Sequence, residues 1–272
     1  MIDLCYCANE KVFKGLILSI VSACEKTSDI LSVTILTGDF TYLKPSYKPL
    51  GEEQANILKK VLALKNPLNK FRVVDGASFI KEKLASSPNL KNSYTPYTFL
   101  RLFLNKIPDF PSKILYLDAD TIVMKDLAPL FNIDVAGYDF AGVLDAYGRW
   151  LINPHYCNSG VLLFNLPEST KNHLFENCLD DLANHRHSFP DQDVLNRYAK
   201  GKKLFLPREY NEQTKLRPQT VIRHYCNQPR IFPYVHALIA KPWDIERIHK
   251  VYKTRVHDVL YAECESYWEG IL

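Results

Sequence analysis

Lys113-Ile-Leu-Tyr-Leu117 runs straight into Asp118-Ala-Asp120. Four apolar residues in a row, with polar residues on both sides, read as a short buried strand. The acids then lie at its carboxyl end. A spacing of two puts both side chains on one side of an extended chain, where they can grip a single hard cation. Paired acids at a strand end are costly unless something neutralises them. A solvated turn or a helix cap is the plainer reading of a bare Asp-x-Asp, and it stays open at this point.

Upstream of this strand the pattern alternates. Residues 2–6 form a short apolar run, a first strand, and 12–24 follow with Phe13, Leu16, Ile17, Ile20, Val21 and Cys24 at helical spacing. Leu31–Thr37 is β-branched and closed by Gly38-Asp39, a second strand. Residues 51–64 carry Ala55, Leu58, Val61 and Leu62 on one helical face, 71–74 are a third strand, and 97–104 read as a helix stopped before Pro108. This alternation predicts an α/β fold with a largely parallel sheet and a ligand at the carboxyl ends of its strands. Downstream of Phe140 the alternation loosens. A strand at 160–164 precedes an amphipathic helix through Leu174, Phe175, Cys178, Leu179 and Leu182. A short helix near 193–198, strands near 204–206 and 220–224, and a last helix over 243–252 complete the reading. No repeat, low-complexity tract or linker appears, so residues 1–272 read as one domain.

Composition narrows the partners. Of 272 residues, 47% are hydrophobic and 24% charged, enough apolar mass for a core and too much for a disordered chain. A net charge of +4 is too mild to argue for nucleic acid, and none is expected. The charge is uneven, however: residues 201–256 hold 12 Lys/Arg against 4 Asp/Glu. That excess suits a phosphate-bearing ligand or an anionic surface, or is simply a solvated basic face. The cysteines (Cys5, Cys7, Cys24, Cys157, Cys178, Cys226, Cys264) are odd in number and show neither a disulfide framework nor a complete zinc spacing. The N-terminus lacks a signal-peptide pattern, and the longest greasy stretch, 15–24, is far short of the roughly 20 residues that span a bilayer. A soluble, cytoplasmic protein is expected, with at most peripheral membrane contact through Trp268, Ile271 and Leu272.

Five ordered segments carry a resemblance. They are 94–104 with Arg101; Tyr-Leu-Asp118-Ala-Asp120; Cys157-Asn158-Ser159-Gly160-Val-Leu-Leu-Phe-Asn165; Asp191-Gln192-Asp193-Val-Leu-Asn196; and His224-Tyr-Cys226 with Lys241-Pro-Trp243. Together, over residues 1 to about 245, they resemble retaining glycosyltransferase family 8, which includes bacterial lipopolysaccharide galactosyl- and glucosyltransferases and glycogenin. The resemblance implies a single GT-A domain with a mixed, mostly parallel sheet, a nucleotide-binding half at 1–125 and a donor-sugar and acceptor half with a C-terminal helix at 126–272. It implies a UDP-sugar donor, UDP-glucose or UDP-galactose first, a glycan acceptor, and Mn²⁺ with Mg²⁺ as a substitute. Asp118, Asp120 and a C-terminal histidine would hold the metal. Ala8 and Asn9 would lie near the uracil and ribose, Ala119 would bind the donor together with Asp118 and Asp120, and Lys241 would sit at the diphosphate. Arg101 would steady the donor or the Asp-x-Asp loop. Asn158, Asp191 and Gln192 would meet the donor sugar, with Gln192 nearest the reacting face and Asp191 the other catalytic candidate. Asp145 would lie near the acceptor.

Plainer roles stand beside these: Asn158 as a turn residue, Asp193 as a helix-start acid, Lys241 as a loop lysine and Trp243 as packing. His155, His173, His185, His187, His249 and His257 look like surface or helix residues. The sequence departs from the family at Lys11-Val12, where a polar residue and a tyrosine are usual, with Phe13 as a substitute contact to the base. It departs again at Ser93, where some members carry histidine, and after His224-Tyr-Cys226, where Asn227 replaces glycine and about a dozen extra residues precede Lys241. Two histidines therefore compete for the metal. His236 is nearer Lys241 by count, but His224 ends a strand-like run, and a strand end holds a ligand more rigidly than an inserted loop; His224 is the expected ligand. Removing one of two uncompensated acids, as in Asp120→Asn, is expected to raise slightly the stability of the metal-free protein. Two other classes compete with the transferase. One is a catalytically inactive sugar-nucleotide-binding protein, against which the intact polar set argues. The other is a sugar-1-phosphate nucleotidyltransferase, which would need a glycine-rich N-terminal loop that Ala8-Asn-Glu-Lys11 lacks.

Overall fold

The computed structural model describes residues 1–91, 94–230 and 236–270. Ser93, Ile271 and Leu272 lie outside the described residues. The strands are β1 (Ile2–Cys7), β2 (Leu31–Thr37), β3 (Lys70–Asp75), β4 (Lys113–Leu117), β5 (Thr121–Val123), β6 (Phe140–Leu144), β7 (Cys157–Asn165), β8 (Lys203–Phe205), β9 (Ile222–His224), β10 (Gln228–Arg230) and β11 (His236–Leu238). The helices are α1 (Phe13–Lys26), α2 (Glu52–Lys65), α3 (Ala77–Leu84), α4 (Ala128–Phe131), α5 (Gly148–Leu151), α6 (Leu166–Lys171), α7 (Leu174–Asn184), α8 (Pro190–Tyr198), α9 (Ile245–Tyr252) and α10 (Asp258–Trp268).

Among the described residues, seven strands form the central sheet in the order β3-β2-β1-β4-β7-β6-β8. The β1–β2, β2–β3, β1–β4 and β6–β8 pairs are parallel, and β7 is antiparallel to both β4 and β6. This is the expected mixed, mostly parallel α/β sheet flanked by helices. The chain moves outward from β1 through β2 to β3, then returns to place β4 on the other side of β1. That reversal opens a crevice at the carboxyl ends of β1 and β4, where open α/β sheets take their ligands. Cys7, Ala8 and Asn9 lie at the first strand end, and Asp118 follows the second.

Helix α1 shows how the sequence builds this. Its Leu16, Ile17, Ile20 and Val21 are fully buried, and each contributes about 1.5–3 kcal/mol by leaving water. The serines within the greasy stretch are buried too, and they are spent on bonds across the core. Ser22 Oγ accepts from Val123 N at 3.0 Å, and Ser19 Oγ lies 3.0 Å from both Tyr6 and Thr121 hydroxyls. Helix α1 thereby fixes β5, the short strand directly after the acid pair.

Apart from short elements without a sequence reading (β5, β6 and α3 to α6), three differences stand out. Residues 96–106 form a long 3-10 helix; its buried pairs Phe99/Leu102 and Leu100/Phe103 are spaced by three, the period of that tighter coil. The inserted loop before Lys241 includes an antiparallel ladder, β10 with β11. Finally, α9 is not the last helix. Helix α10 follows it, packs on α1, and buries Leu260, Tyr261 and Cys264. Trp268 donates its indole N–H to Lys14 O at 3.3 Å, with the Lys14 ammonium over its ring.

His257, expected as a surface or helix residue, is at the start of α10 but not exposed. It shares a 2.6 Å hydrogen bond with Tyr225 Oη. Burial, with Arg223 nearby, pushes its pKa down to about 4. The unfolded chain therefore binds the proton first, near the ordinary histidine value of about 6.5. Stability is complete above that value and is lost as pH falls from about 6.5 toward 4, by up to about 3 kcal/mol from this one group. Urea unfolding at pH 7.5 and 4.5 should show this loss, and His257→Gln should flatten it; an equal pH slope in the variant refutes the assignment.

Candidate active site

All twelve residues singled out from the sequence meet in one cleft of about 460 Å³. Ala8, Asn9 and Ala119 line one part of it. Asp118, Asp120, His224, Lys241 and Arg101 line its floor, and Asp145, Asn158, Asp191 and Gln192 its other end. Lys11, Val12 and Trp243 also reach the wall, whereas Phe13 is turned into the core and is not a wall residue. Phe13 is thus no substitute contact at this surface. A Cβ on Gly15 would lie 2.5 Å from both Ala119 O and the Trp243 ring, so Trp243 packs closely over the helix as well as facing the cleft.

Strand pairing assembles the floor. Strand β5 pairs antiparallel with β9, which sets Thr121 opposite His224, and Tyr225 N donates to Asp120 O at 2.9 Å. His224 Nε2 consequently lies 3.2 Å from Asp120 Oδ1 and 3.8 Å from Asp118 Oδ2. Among the described residues these three form the group of acids, histidines and cysteines close enough to share one ion, and His236, in β11, is not part of it.

Hydrogen bonds fix how His224 faces the acids. Asp145 is an acceptor only, so Asn158 must turn its Nδ2 toward Asp145 Oδ2 at 3.0 Å. Asn158 Oδ1 then accepts from Asn211 Nδ2 at 2.9 Å, leaving Asn211 Oδ1 to take the Nδ1–H of His224 at 3.1 Å. With Nδ1 carrying a proton, Nε2 points at two carboxylates, and the space between them suits a proton or a cation. Carboxylate and imidazole together make a reasonable Mn²⁺ donor set, and the supporting Asn211 is the kind of outer partner that orients such a histidine. Asn211 was not foreseen. It sits between Tyr210 and Glu212 in a 3-10 turn, and no motif marks it.

Gly160 is required here. A Cβ on it would strike the His224 ring and come within 2.8 Å of Asp118 Oδ2. Gly160→Ala should therefore weaken Mn²⁺ binding about tenfold or more by displacing a ligand, while the strands persist. An Mn²⁺ titration followed by fluorescence checks this, and unaltered affinity contradicts it.

Two cations serve the acids. Arg101 is 2% exposed and lies over the Tyr116 ring at 4.2 Å. It donates to Asp118 Oδ1 at 2.9 Å and Ser159 O at 2.6 Å, and lies 3.5 Å from Asp191 Oδ2. It therefore ties the Asp-x-Asp loop to helix α8. Tyr116 Oη adds a second donor to Asp118 Oδ1, at 2.7 Å. Lys241, expected at a diphosphate, rests on Asp120 Oδ2 at 2.6 Å. Burial pushes the Asp120 carboxyl up, but Lys241 and His224 outweigh it and hold the group well below the usual carboxylate range. Burial wins at Asp191, whose carboxyl is raised despite Arg101.

At the far end, Gln192 sits in the first turn of α8. Its Oε1 accepts from Ser159 N at 2.9 Å, and its Nε2 lies 3.3 Å from Asp145 Oδ2. The register between β6 and β7 shifts at 142–144, just before Asp145; bulges of this kind re-aim side chains beside active sites. Asp145 Oδ1 also accepts the N–H groups of Tyr147 and Gly148 and so starts α5. Asp193 receives Tyr156 Oη and the Phe189 N–H, a structural role.

The sequence profile of the family described as Glycosyl transferase family 8 matches residues 3–246. The chain belongs to that family. Its relatives include a lipopolysaccharide 1,2-glucosyltransferase of Escherichia coli, 32% identical over 149 residues (48% of this chain, 44% of the relative). A protein of Haemophilus influenzae named a putative glycosyltransferase is 29% identical over 153 residues (47% of this chain, 46% of the relative). The matched segment thus spans less than half the length of these relatives. Among solved structures, an active-site mutant of LgtC superposes with a TM-score of 0.73 at 19% identity, over 100% of both chains. The galactosyltransferase LgtC in complex with donor and acceptor sugar analogues gives 0.67 at 20% identity, again over both whole chains. At such identities the likeness shows a shared fold.

Proposed function

We propose that this family 8 protein is a metal-dependent retaining hexosyltransferase. It moves glucose or galactose from a UDP-sugar to a hydroxyl of a glycan acceptor such as lipopolysaccharide or another surface glycan. The whole chain acts as one domain, with 1–125 as the nucleotide half and 126–272 as the sugar and acceptor half. It works in the cytoplasm with Mn²⁺, or Mg²⁺ in its place. One observation carries the reading: the Asp118–Asp120–His224 group sits within a single cleft, between Ala8–Asn9 and the Asp145–Asn158–Gln192 cluster. The names of the glucosyl- and galactosyltransferase relatives support the substrate class.

When bound, the cation supplies Lewis-acid stabilisation of the departing diphosphate. The chain's own residues do the rest. Asp118, Asp120 and His224 hold the metal, and Lys241 brings a further positive charge beside it, preorganised in a partly dry site. Asn158, Asp191 and Gln192 orient the sugar. The Gln192 amide is pinned by Ser159 and is a poor nucleophile. Asp191 is committed to Arg101 and Ser159. Attack from the front face follows. The acceptor oxygen bonds to the anomeric carbon as the bond from that carbon to the diphosphate breaks, and the acceptor proton passes to the leaving diphosphate oxygen.

A donor screen tests this, reading UDP release from a panel of nucleotide sugars with Mn²⁺ and glycan acceptors. An α-linked product from an α-linked donor is expected by NMR, and a β-linked product refutes retention. A melting temperature raised by Mn²⁺ and UDP together, with no transfer from any donor, favours the inactive binding protein. Pyrophosphate release from a nucleoside triphosphate and a sugar 1-phosphate favours the nucleotidyltransferase.

A further inference from the structure

The basic excess of residues 201–256 is only partly absorbed by the cleft. Lys241 rests on Asp120, and Arg223 is buried among Tyr225, Tyr252 and backbone carbonyls. Further cations lie on a face beside the cleft, where two segments distant in sequence meet. The first is an exposed ridge, 149–155, reading Arg-Trp-Leu-Ile-Asn-Pro-His. Trp150 is 77% exposed and Leu151 75%, and Ile152 is half-exposed. The second is 197–208, with Arg197, Lys200, Lys202, Lys203 and Arg208 and no acidic residue. A groove of about 750 Å³ runs between them, with Ile152 and His155 on one side and Lys200, Lys203 and the exposed Phe205 on the other.

Some of these cations are already used. Arg197 pairs with Asp181, Arg208 with Glu212, and Lys203 binds Asn196 and the His155 carbonyl. Arg149 and Lys200 make no ion pair among the described residues, whereas the charge of Lys202 acts on the buried Asp139 carboxylate; Arg149 stacks on Trp150 at 4.8 Å. The ridge itself carries no acid that would repel a negative surface.

We infer that this face docks on an anionic lipid bilayer. Trp150, Leu151 and Ile152 enter the headgroup boundary while Arg149 and Lys200 meet lipid phosphates. Three large apolar side chains in a row on a protruding turn, flanked by free cations, match the two requirements of interfacial binding: buried apolar area and attraction to anionic headgroups. A tryptophan with a stacked guanidinium suits the boundary itself, where one end of the pair is apolar and the other wet. The charge pattern favours lipid over a protein partner, because the ridge offers no complementary acid and no enclosed apolar pocket for an anchoring side chain.

The surface is also coupled to the cleft. Asp145 starts the ridge helix through the N–H groups of Tyr147 and Gly148, and Tyr147 lines the cleft. Docking therefore turns the Asp145 end of the cleft toward the leaflet. That last step rests on the transferase reading and would present a lipid-linked acceptor at the site, whereas lipid binding itself does not depend on catalysis.

Co-sedimentation of the full chain with phosphatidylcholine vesicles, with and without phosphatidylglycerol, tests the proposal. Binding is expected only when phosphatidylglycerol is present, and it should collapse at about 0.5 M salt, where charges are screened within a few ångströms. Arg149→Ala with Lys200→Ala should weaken partitioning about 25-fold, at about fivefold for each basic group near the surface. Trp150→Ser with Leu151→Ser should weaken it about tenfold or more. These residues are exposed and lie outside the cleft, so Mn²⁺-dependent UDP binding should be unchanged in all variants. Three results overturn the proposal: no binding of the wild type to phosphatidylglycerol vesicles, equal binding by the variants, or a wild-type dimer in ultracentrifugation that Trp150→Ser dissolves. UDP release from a soluble donor is measured separately, so failure of the transferase reading shows as lost turnover with vesicle binding intact.

Discussion

Asp120→Asn will abolish transfer and Mn²⁺-dependent UDP binding, and it will also destabilise the metal-free protein. The first half follows from the donor set. One of two carboxylates becomes a neutral amide in a buried position 3.2 Å from His224 Nε2, and the loss should be at least about 100-fold, above the 10–100-fold typical of outer-shell changes. The second half reverses what the sequence suggests. Two adjacent acids look like stored repulsion, so losing one charge should help. In the structure both charges are matched: Arg101 and Tyr116 bind Asp118, while Lys241 and His224 bind Asp120. The amide strands the Lys241 ammonium, which is three-quarters buried. Removing one partner of a fully buried pair costs about 3–5 kcal/mol, and the remaining exposure of Lys241 brings this nearer 2 kcal/mol. A fall of about 5 °C in the metal-free melting temperature is expected. Calorimetry with and without Mn²⁺ and UDP checks both halves. Transfer within a few-fold of wild type, at an unchanged Mn²⁺ requirement, overturns the metal role; a raised metal-free melting temperature overturns the pairing argument.

That reversal marks the boundary of what the sequence discloses. Strands with strong local signals were legible to the residue: Leu31–Thr37 and Lys113–Leu117 match their expected limits. Short strands held by tertiary partners were not. Strand β5 has three residues, and one of its edge N–H groups is met by Ser22, 101 positions away. Helix α10 was missed because its buried Leu260, Tyr261 and Cys264 are interleaved with acids and an exposed Val259. The site divides the same way. Acids and amides lying in motifs could be picked out and do share one cleft. The bonds that orient them join Asn211 to Asn158 and Asn158 to Asp145, separations of 53 and 13 residues that leave no pattern in the chain. Lys241 was legible as a cation near the site, but its partner across 121 residues was not.

His224→Ala should raise the Mn²⁺ requirement about tenfold or more at saturating donor, whereas His236→Ala should scarcely change it. The choice rests on where each ring sits. Strand β9 is clamped by pairing with β5, and its last residue faces Asp118 and Asp120. His236 belongs to the β10–β11 ladder, which leaves the cleft and returns the chain to Ala240 and Lys241. Asn211 extends the test beyond the ligand itself. Asn211→Leu removes the acceptor for His224 Nδ1–H, so the ring loses its fixed tautomer and orientation, and the Mn²⁺ requirement should rise about tenfold with the acids untouched. Asn211→Asp keeps an acceptor toward His224 but takes from Asn158 Oδ1 one of its two donors, leaving the Gly160 N–H, so it should recover part of the Mn²⁺ affinity while leaving donor-sugar binding weakened. Titrating Mn²⁺ at fixed UDP-sugar, with KM for the donor measured in parallel, separates the two effects. If His236→Ala carries the tenfold rise and His224→Ala does not, the ion lies outside the Asp118–Asp120–His224 group. If Asn211→Leu leaves the Mn²⁺ curve in place, the hydrogen-bond chain from Asp145 does not set the histidine, and β9 pairing alone holds the ring.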